Sequence, residues 1–377
     1  MANGRTALVL GGGGARAAYQ VGVLLAVRDL LGNPTENPFP ILCGTSAGAV
    51  NAGTLACYAK NFSAAVESLA EVWRNMHAGH IYRADVLGIG FGGARWLACL
   101  LLGWATGGSP RALLDNQPLR KLLAEKLEFR NIDRCLESGA LYAVSITASG
   151  YTTGDGISFF QAHPEVPTWR RKQRAGCRAH LTVEHLMASS AIPFFFPAVH
   201  LNREFFGDGS MRQLAPLSPA IHLGAEKVLV VGVGQANDGM PRQSSQVYPT
   251  LAQIAGHALS SIFLDSLAVD LERLERINET LSKIPRNLQA SGDISLRPVR
   301  SLVISPSERL DCLAARHAGA LPWAVRMLLR GLGAMNRHGG ALTSYLLFEQ
   351  AYTNALIDLG YKDAMARRDE IKSFLAA

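Results

Sequence analysis

Residues 41–53 read ILCGTSAGAVNAG. The apolar start predicts a short strand, and the small-residue run from Ser46 predicts a helix. Gly44-Thr45-Ser46-Ala47-Gly48 is a G-x-S-x-G placed at the junction of the two. That context gives the motif chemical meaning. A nucleophilic serine has to project from a sharp strand-to-helix turn, so its neighbours have to be small, and a glycine on either side lets backbones approach closely. The helix N-terminus below it adds positive potential where negative charge develops. A tight turn that merely contains a serine is the plain alternative. The strand before it and the Ala/Gly-rich helix after it favour the nucleophile, and they begin an α/β fold.

Thirty residues upstream, residues 8–24 read LVLGGGGARAAYQVGVL. Here too an apolar strand ends in glycines and a helical pattern follows. Two anions fit such a turn: a nucleotide phosphate or the oxyanion of acyl transfer. A dinucleotide fingerprint calls for a third glycine where Ala17 stands, and for an acid at the end of the second strand. That strand ends instead in Cys43 and the serine turn, so the oxyanion is preferred.

The remaining chain continues the alternation. Strands are expected at 6–10, 41–43, 142–148, 157–160, 227–233 and 302–305. Helices are expected at 16–31, 46–59, 64–76, 116–129, 182–191 and 250–281, with a helical pattern from 321 to the end. Residues 227–233 are almost wholly apolar and β-branched, as in a strand covered on both faces. The fold class is therefore α/β, with a mostly parallel central sheet flanked by helices and additional C-terminal helices.

Residues 203–212 read REFFGDGSMR. Asp208 ends an aromatic-rich strand and stands between glycines. Alone it reads as a turn aspartate; with the two motifs above it becomes a candidate base. Taken together, these stretches resemble the patatin-like phospholipase family. Gly12-Gly13-Gly14-Ala15-Arg16-Ala17 matches that family's oxyanion turn, Ser46 its G-x-S-x-G nucleophile, and Asp208-Gly209 its D-G motif. Residues 188–199, ASSAIPFFFPAV, resemble the segment before the aspartate. The resemblance spans about 5–215, the expected catalytic core, and 216–377 would continue the α/β domain with helices packed on it. It implies a three-layer α/β/α fold and a serine lipid acyl hydrolase acting on carboxylic esters. Ser46 and Asp208 would form a dyad, with an acyl-enzyme and no metal or cofactor. Gly13 and Gly14 would hold the oxyanion, Arg16 would complete that site by bracing their turn and adding positive charge, and Gly12, Gly44, Gly48 and Gly209 would support the motifs. Two positions depart from the pattern. Ala17 stands where many relatives carry glycine, and Ser210, after Gly209, can hydrogen-bond Asp208 and lower its basicity.

The bulk properties agree. The 377 residues are 48% hydrophobic and 18% charged, enough for a large core and unlike a disordered chain. The formal charge of +7 favours anionic partners such as lipid headgroups. Nucleic acid is disfavoured by the lack of a basic stripe interleaved with aromatics. Six scattered cysteines without C-x-x-C fit a reduced, cytoplasmic setting, and no signal peptide is expected before the first strand. Residues 86–106 have the length of a membrane span, but Arg95 at the centre and five glycines oppose one; a buried helix pair or a lid resting on lipid is expected. With residues 169–178 and 321–337 they are the candidates for peripheral membrane contact. Three other functions remain open. A transacylase would use the same dyad. A scaffold would bind lipid without turnover. An ordinary α/β-hydrolase triad would recruit His222, His257, His317 or His338.

Overall fold

In a computed structural model of the protein, the described residues are 5–85, 112–234, 250–262, 266–285, 296–331, 333–334 and 340–376. The segment 86–106 lies outside them, and so does His338.

Ten strands form one sheet. They are β1 (Thr6–Leu10), β2 (Ile41–Thr45), β3 (Ala143–Gly150), β4 (Gly156–Ala162), β5 (Trp169–Arg171), β6 (Arg174–Arg178), β7 (Val199–Leu201), β8 (Glu204–Asp208), β9 (Lys227–Val231) and β10 (Arg300–Ile304). The main order is β10-β9-β1-β2-β3-β4-β6-β5, with β8 also paired to β3 and β7 paired to β8. From β10 to β3 every pairing is parallel. Antiparallel pairs β3–β4, β3–β8, β7–β8 and β5–β6 make up most of the other side.

Alternation along the strands builds two cores. Leu8 and Leu10 of β1, with Leu229 and Val231 of β9, join the larger core. Ala7 and Val9, with Val228 and Val230, join the smaller one on the opposite face. Every residue of β1, β2 and β9 is buried, which is why these strands read as continuous apolar runs. The larger core is covered by α1 (Ala18–Leu30), α2 (Ala47–Cys57), α3 (Phe62–Arg74), α4 (Gln117–Lys126), α5 (Val183–Ser189), α6 (Gly340–Leu346) and α7 (Gln350–Ala366). The smaller core takes in the helix Ser218–His222 and Leu274 of the helix Ser266–Ser282. This is the expected α/β/α arrangement.

The C-terminal helices are built into the core. Helix α7 packs on α1 with almost no side chain between them: a Cβ at Gly22 would lie 2.0 Å from the Ile357 carbonyl oxygen, and one at Gly360 2.1 Å from that of Tyr19. The Tyr19 hydroxyl donates to Asp363 at 3.0 Å, and Asp363 also accepts from the Ser307 backbone amide and hydroxyl.

The helix expected at 250–281 is described as Leu251–Ser260 and Ser266–Ser282, with 263–265 between them outside the described residues. The basic run 169–178 is the β5–β6 hairpin at the sheet edge. Trp169 stacks between Phe160 and His222, and the Arg178 guanidinium donates to the carbonyls of Ala162, His163 and Val166. Arg170, Arg171 and Lys172 of the same run remain exposed. Among the described residues no helix is long and apolar enough to cross a membrane.

Candidate active site

The three motifs converge at the carboxyl ends of the parallel strands β1, β2 and β3, where such sheets place their ligands, and antiparallel β8 brings Asp208 beside Ala148 of β3. β1 opens into the glycine turn, β2 into the serine turn, and β8 ends at Asp208. Leu10 is in register with Gly44, so the first two turns lie side by side.

Ser46 stands between β2 and α2 with φ 54° and ψ −130°. A positive φ in a serine is backbone strain, and here it aims the side chain away from both elements. This is the geometry of a nucleophile elbow. Both motif glycines are required by close packing. A Cβ on Gly44 would lie 2.5 Å from the Gly48 oxygen, and one on Gly48 2.3 Å from the Leu10 oxygen. The amide of Ser46 donates to the Ser189 hydroxyl at 2.9 Å, and that hydroxyl donates to the Thr147 carbonyl at 2.6 Å. Ser189 therefore pins the strained residue to β3.

The Ser46 hydroxyl donates to Asp208 Oδ2 at 2.5 Å. Ser46 is 1% exposed and Asp208 fully buried. The other carboxylate oxygen accepts from the Ser210 amide at 2.9 Å. Burial pushes the Asp208 carboxyl up to about 6, against the pull of the bonds from Ser46 and Ser210. A carboxyl tuned upward this way is a better proton acceptor for a hydroxyl than an ordinary one. The Ser210 amide makes the well-formed contact to Asp208, and its hydroxyl, outside good hydrogen-bond geometry, adds to the same downward pull. Gly209 is fixed by space, since a Cβ there would meet the Thr147 oxygen at 2.0 Å.

In the glycine turn, Gly14 has φ +53° and begins the 3-10 turn Gly14–Ala17 that leads into α1. A Cβ on it would lie 2.3 Å from the Tyr345 carbonyl oxygen, and one on Gly13 2.6 Å from a methyl of Val233. Gly12 is buried between the strand end and these two. Arg16 is 5% exposed. Its Nε donates to the Ser344 hydroxyl at 2.8 Å, and its guanidinium lies 4.2 Å over the Tyr345 ring. It ties the turn to α6. The turn is held from the other side by a buried amide network. Gln20 Nε2 donates to the Gly11 carbonyl, Asn51 Nδ2 donates to Gln20 and to the Ala17 carbonyl, and Trp73 Nε1 donates to Asn51.

Of the four histidines weighed for a triad, none that is described bonds to Ser46 or Asp208. His222 bonds the Ser218 carbonyl and stacks on Trp169, His317 lies against Tyr352, and His257 is exposed. Among the described residues no His/Cys/Asp/Glu cluster has the form of a metal site.

Ser46 and Gly14 are among the residues that line a largely apolar cavity. Its walls are mostly apolar side chains of α2, α3 and α4, with Phe196 and Phe348 also in the lining. Sequence analysis missed this cavity, the Ser189 tether, the Asn51 network and the Ser344 contact. The spacing Ala47, Val50, Thr54, Tyr58 along α2 was the one signal available, and it reads equally well as core packing.

A strained serine between strand and helix, a buried aspartate within hydrogen-bond reach and an apolar cavity beside them thus meet at one place in the fold. The patatin-like phospholipase family model matches residues 8–221, and the chain belongs to that family. A curated relative, a cGAMP-activated phospholipase from Pseudomonas aeruginosa, is 30% identical over 210 residues, covering 55% of this chain and 53% of its own. The chain thus matches about half the length of that relative. Among solved structures, VipD from Legionella pneumophila aligns over 97% of this chain and 67% of its own, at 12% identity and a TM-score of 0.35.

Proposed function

We propose that this chain is a serine lipid acyl hydrolase that cleaves carboxylic esters through a Ser46–Asp208 dyad. The observation that carries the proposal is the 2.5 Å bond from the Ser46 hydroxyl to a fully buried carboxylate, beside an apolar cavity. Family membership supports a lipid ester as substrate.

In the proposed reaction Asp208 takes the Ser46 proton as the serine oxygen attacks the acyl carbonyl carbon. The tetrahedral oxyanion is held by backbone N–H groups of Gly13 and Gly14. Its collapse breaks the bond to the alcohol, which leaves with the proton from Asp208. Water, deprotonated by the same carboxylate, then cleaves the acyl-serine and releases the fatty acid. Arg16 acts as a brace, because its charge is engaged with Ser344 and Tyr345. Residues 5–215 supply the motifs, and 216–377 complete the sheet and hold the glycine turn through α6. A cytoplasmic setting with contact at a membrane surface belongs to the same proposal. Trp323, Met327 and Arg330 support that contact: they form one exposed stripe on the helix Trp323–Gly331 within 321–337.

The test is a substrate panel of p-nitrophenyl esters, phospholipid and lysophospholipid, assayed for wild type and Ser46→Ala. It is run with and without cGAMP, because a relative is named for activation by it. Fatty acid release that depends on Ser46 is expected. Transfer of the acyl group to an added alcohol in preference to water would make the protein a transacylase. No Ser46-dependent product from any substrate would overturn the proposal.

A further inference from the structure

The cavity has a direction and a length. Ala47, Val50, Thr54 and Tyr58 succeed one another at three- and four-residue steps, a single stripe along α2, and all four line it. Ser46 stands at the start of the stripe and is buried; Tyr58 stands at its end and is partly exposed. The Thr54 hydroxyl is bonded to the Val50 carbonyl within the helix, so it adds no free donor to the groove. Facing α2 are Leu69, Val72 and Trp73 of α3 and Leu119, Leu122 and Leu123 of α4. At the far end the Tyr58 hydroxyl donates to the Lys126 carbonyl at 2.8 Å, which bridges α2 to the end of α4.

We infer that this groove is an acyl-chain ruler and that the Tyr58–Lys126 bridge marks its end. The inference rests on the proposed hydrolase reading, which places the acyl carbonyl at Ser46. From Ser46 to Tyr58 the helix advances about 18 Å at about 1.5 Å per residue. An extended covalent chain covers about 1.2 Å per bond. The groove therefore holds one extended acyl chain of about 15 carbons, and the preferred substrate carries a chain of about 14–16. A shorter chain leaves apolar wall uncovered and binds about fourfold more weakly for each missing methylene. A longer chain has to displace Tyr58 and break its bond to Lys126.

Two variants test the gauge. Thr54→Phe places a ring about two-thirds of the way along the stripe, and Tyr58→Ala removes the end marker. Tyr58 is 37% exposed, so its truncation is compatible with folding even where the larger Thr54 side chain overpacks. Turnover is measured on p-nitrophenyl esters of 4 to 20 carbons, which share one leaving group. Wild type is expected to peak at 14–16 carbons. Thr54→Phe moves the peak to shorter chains by about five carbons, and Tyr58→Ala raises the ratio of 18-carbon to 12-carbon turnover at least fivefold.

A second readout needs no chemistry. Free fatty acids of 8 to 20 carbons are titrated against the Tm of Ser46→Ala, and the largest rise is expected at 14–16 carbons. A Tm peak without any esterase activity would sink the hydrolase reading and leave the ruler. A chain-length profile that is flat in Tm, or unmoved by Tyr58→Ala in turnover, would overturn the ruler and leave the dyad.

Discussion

Asp208→Asn separates the cost of the candidate base from its use. The carboxyl is fully buried and bonds to a neutral hydroxyl and a neutral amide, with no cation among these partners. Burial raises it from 3.8 to about 6. The folded state therefore holds this proton more tightly than the unfolded chain does. Between about pH 4 and 6 the folded protein binds more protons from this group, so its contribution to stability falls as pH rises through that window. Above it the full penalty of a buried carboxylate stands. About two pH units at about 1.4 kcal/mol each give about 3 kcal/mol. Asparagine has the same shape, keeps an oxygen to accept from the Ser210 amide and carries no charge. The variant should be more stable than wild type by up to about 3 kcal/mol at pH 8 and nearly equal to it at pH 4. Its turnover should fall on the order of 10⁴-fold, because the amide cannot take the Ser46 proton. Denaturant midpoints of both proteins at pH 4, 6 and 8, with ester hydrolysis at pH 8, make the comparison. A variant no more stable than wild type at pH 8, or a stability difference that does not change with pH, would refute the argument that Asp208 is a desolvated base.

The same carboxyl has to be ionised to act, so kcat/KM should rise with pH through an acid limb near 6 and then level off; a limb near 4 would mean that burial does not tune the base. Alanine at His222, His257 or His317, one at a time, should leave ester turnover within a few-fold of wild type, and a thousandfold loss in a folded variant would restore the triad. For the oxyanion turn Gly13→Ala is a gentler probe than Gly14→Ala, because its new methyl meets a movable Val233 side chain while that of Gly14 strikes the Tyr345 backbone. Gly13→Ala should lower kcat by about 10²–10³ with little change in KM, and unimpaired kcat in the folded variant would mean that this turn does not hold the oxyanion.

What the sequence revealed and what it hid divide along chain distance. The serine turn was legible because strand, glycine, serine, glycine and helix are consecutive, and each needs the next for steric reasons. Asp208 was legible only through its motif, since nothing local says that β8 returns to lie against β3. The partner against which Arg16 braces was unreadable: Ser344 lies 328 positions away, and an arginine beside glycines looks the same whether it faces solvent or a distant helix. Asn51 and Gln20 looked like ordinary helix residues, yet their amides hold the glycine turn to α2 and α3. The basic stretch at 169–178 was legible only as charge, for a related reason. Charge is visible in a sequence, but the carbonyls that the Arg178 guanidinium satisfies are not. The groove was hidden because an apolar stripe on a helix has the same pattern whether protein or substrate fills the space beside it.

The dyad is the central claim, and it is tested most directly by covalent trapping. A fluorophosphonate reacts with an activated serine, and peptide mass spectrometry locates the adduct. Wild type should be labelled at Ser46 with one adduct per chain. Ser46→Ala should not be labelled, Asp208→Asn should be labelled at least a hundredfold more slowly, and the histidine variants at the wild-type rate. An adduct on another residue, or an Asp208→Asn protein labelled as fast as wild type, would contradict the assignment of Ser46 as nucleophile and Asp208 as its base.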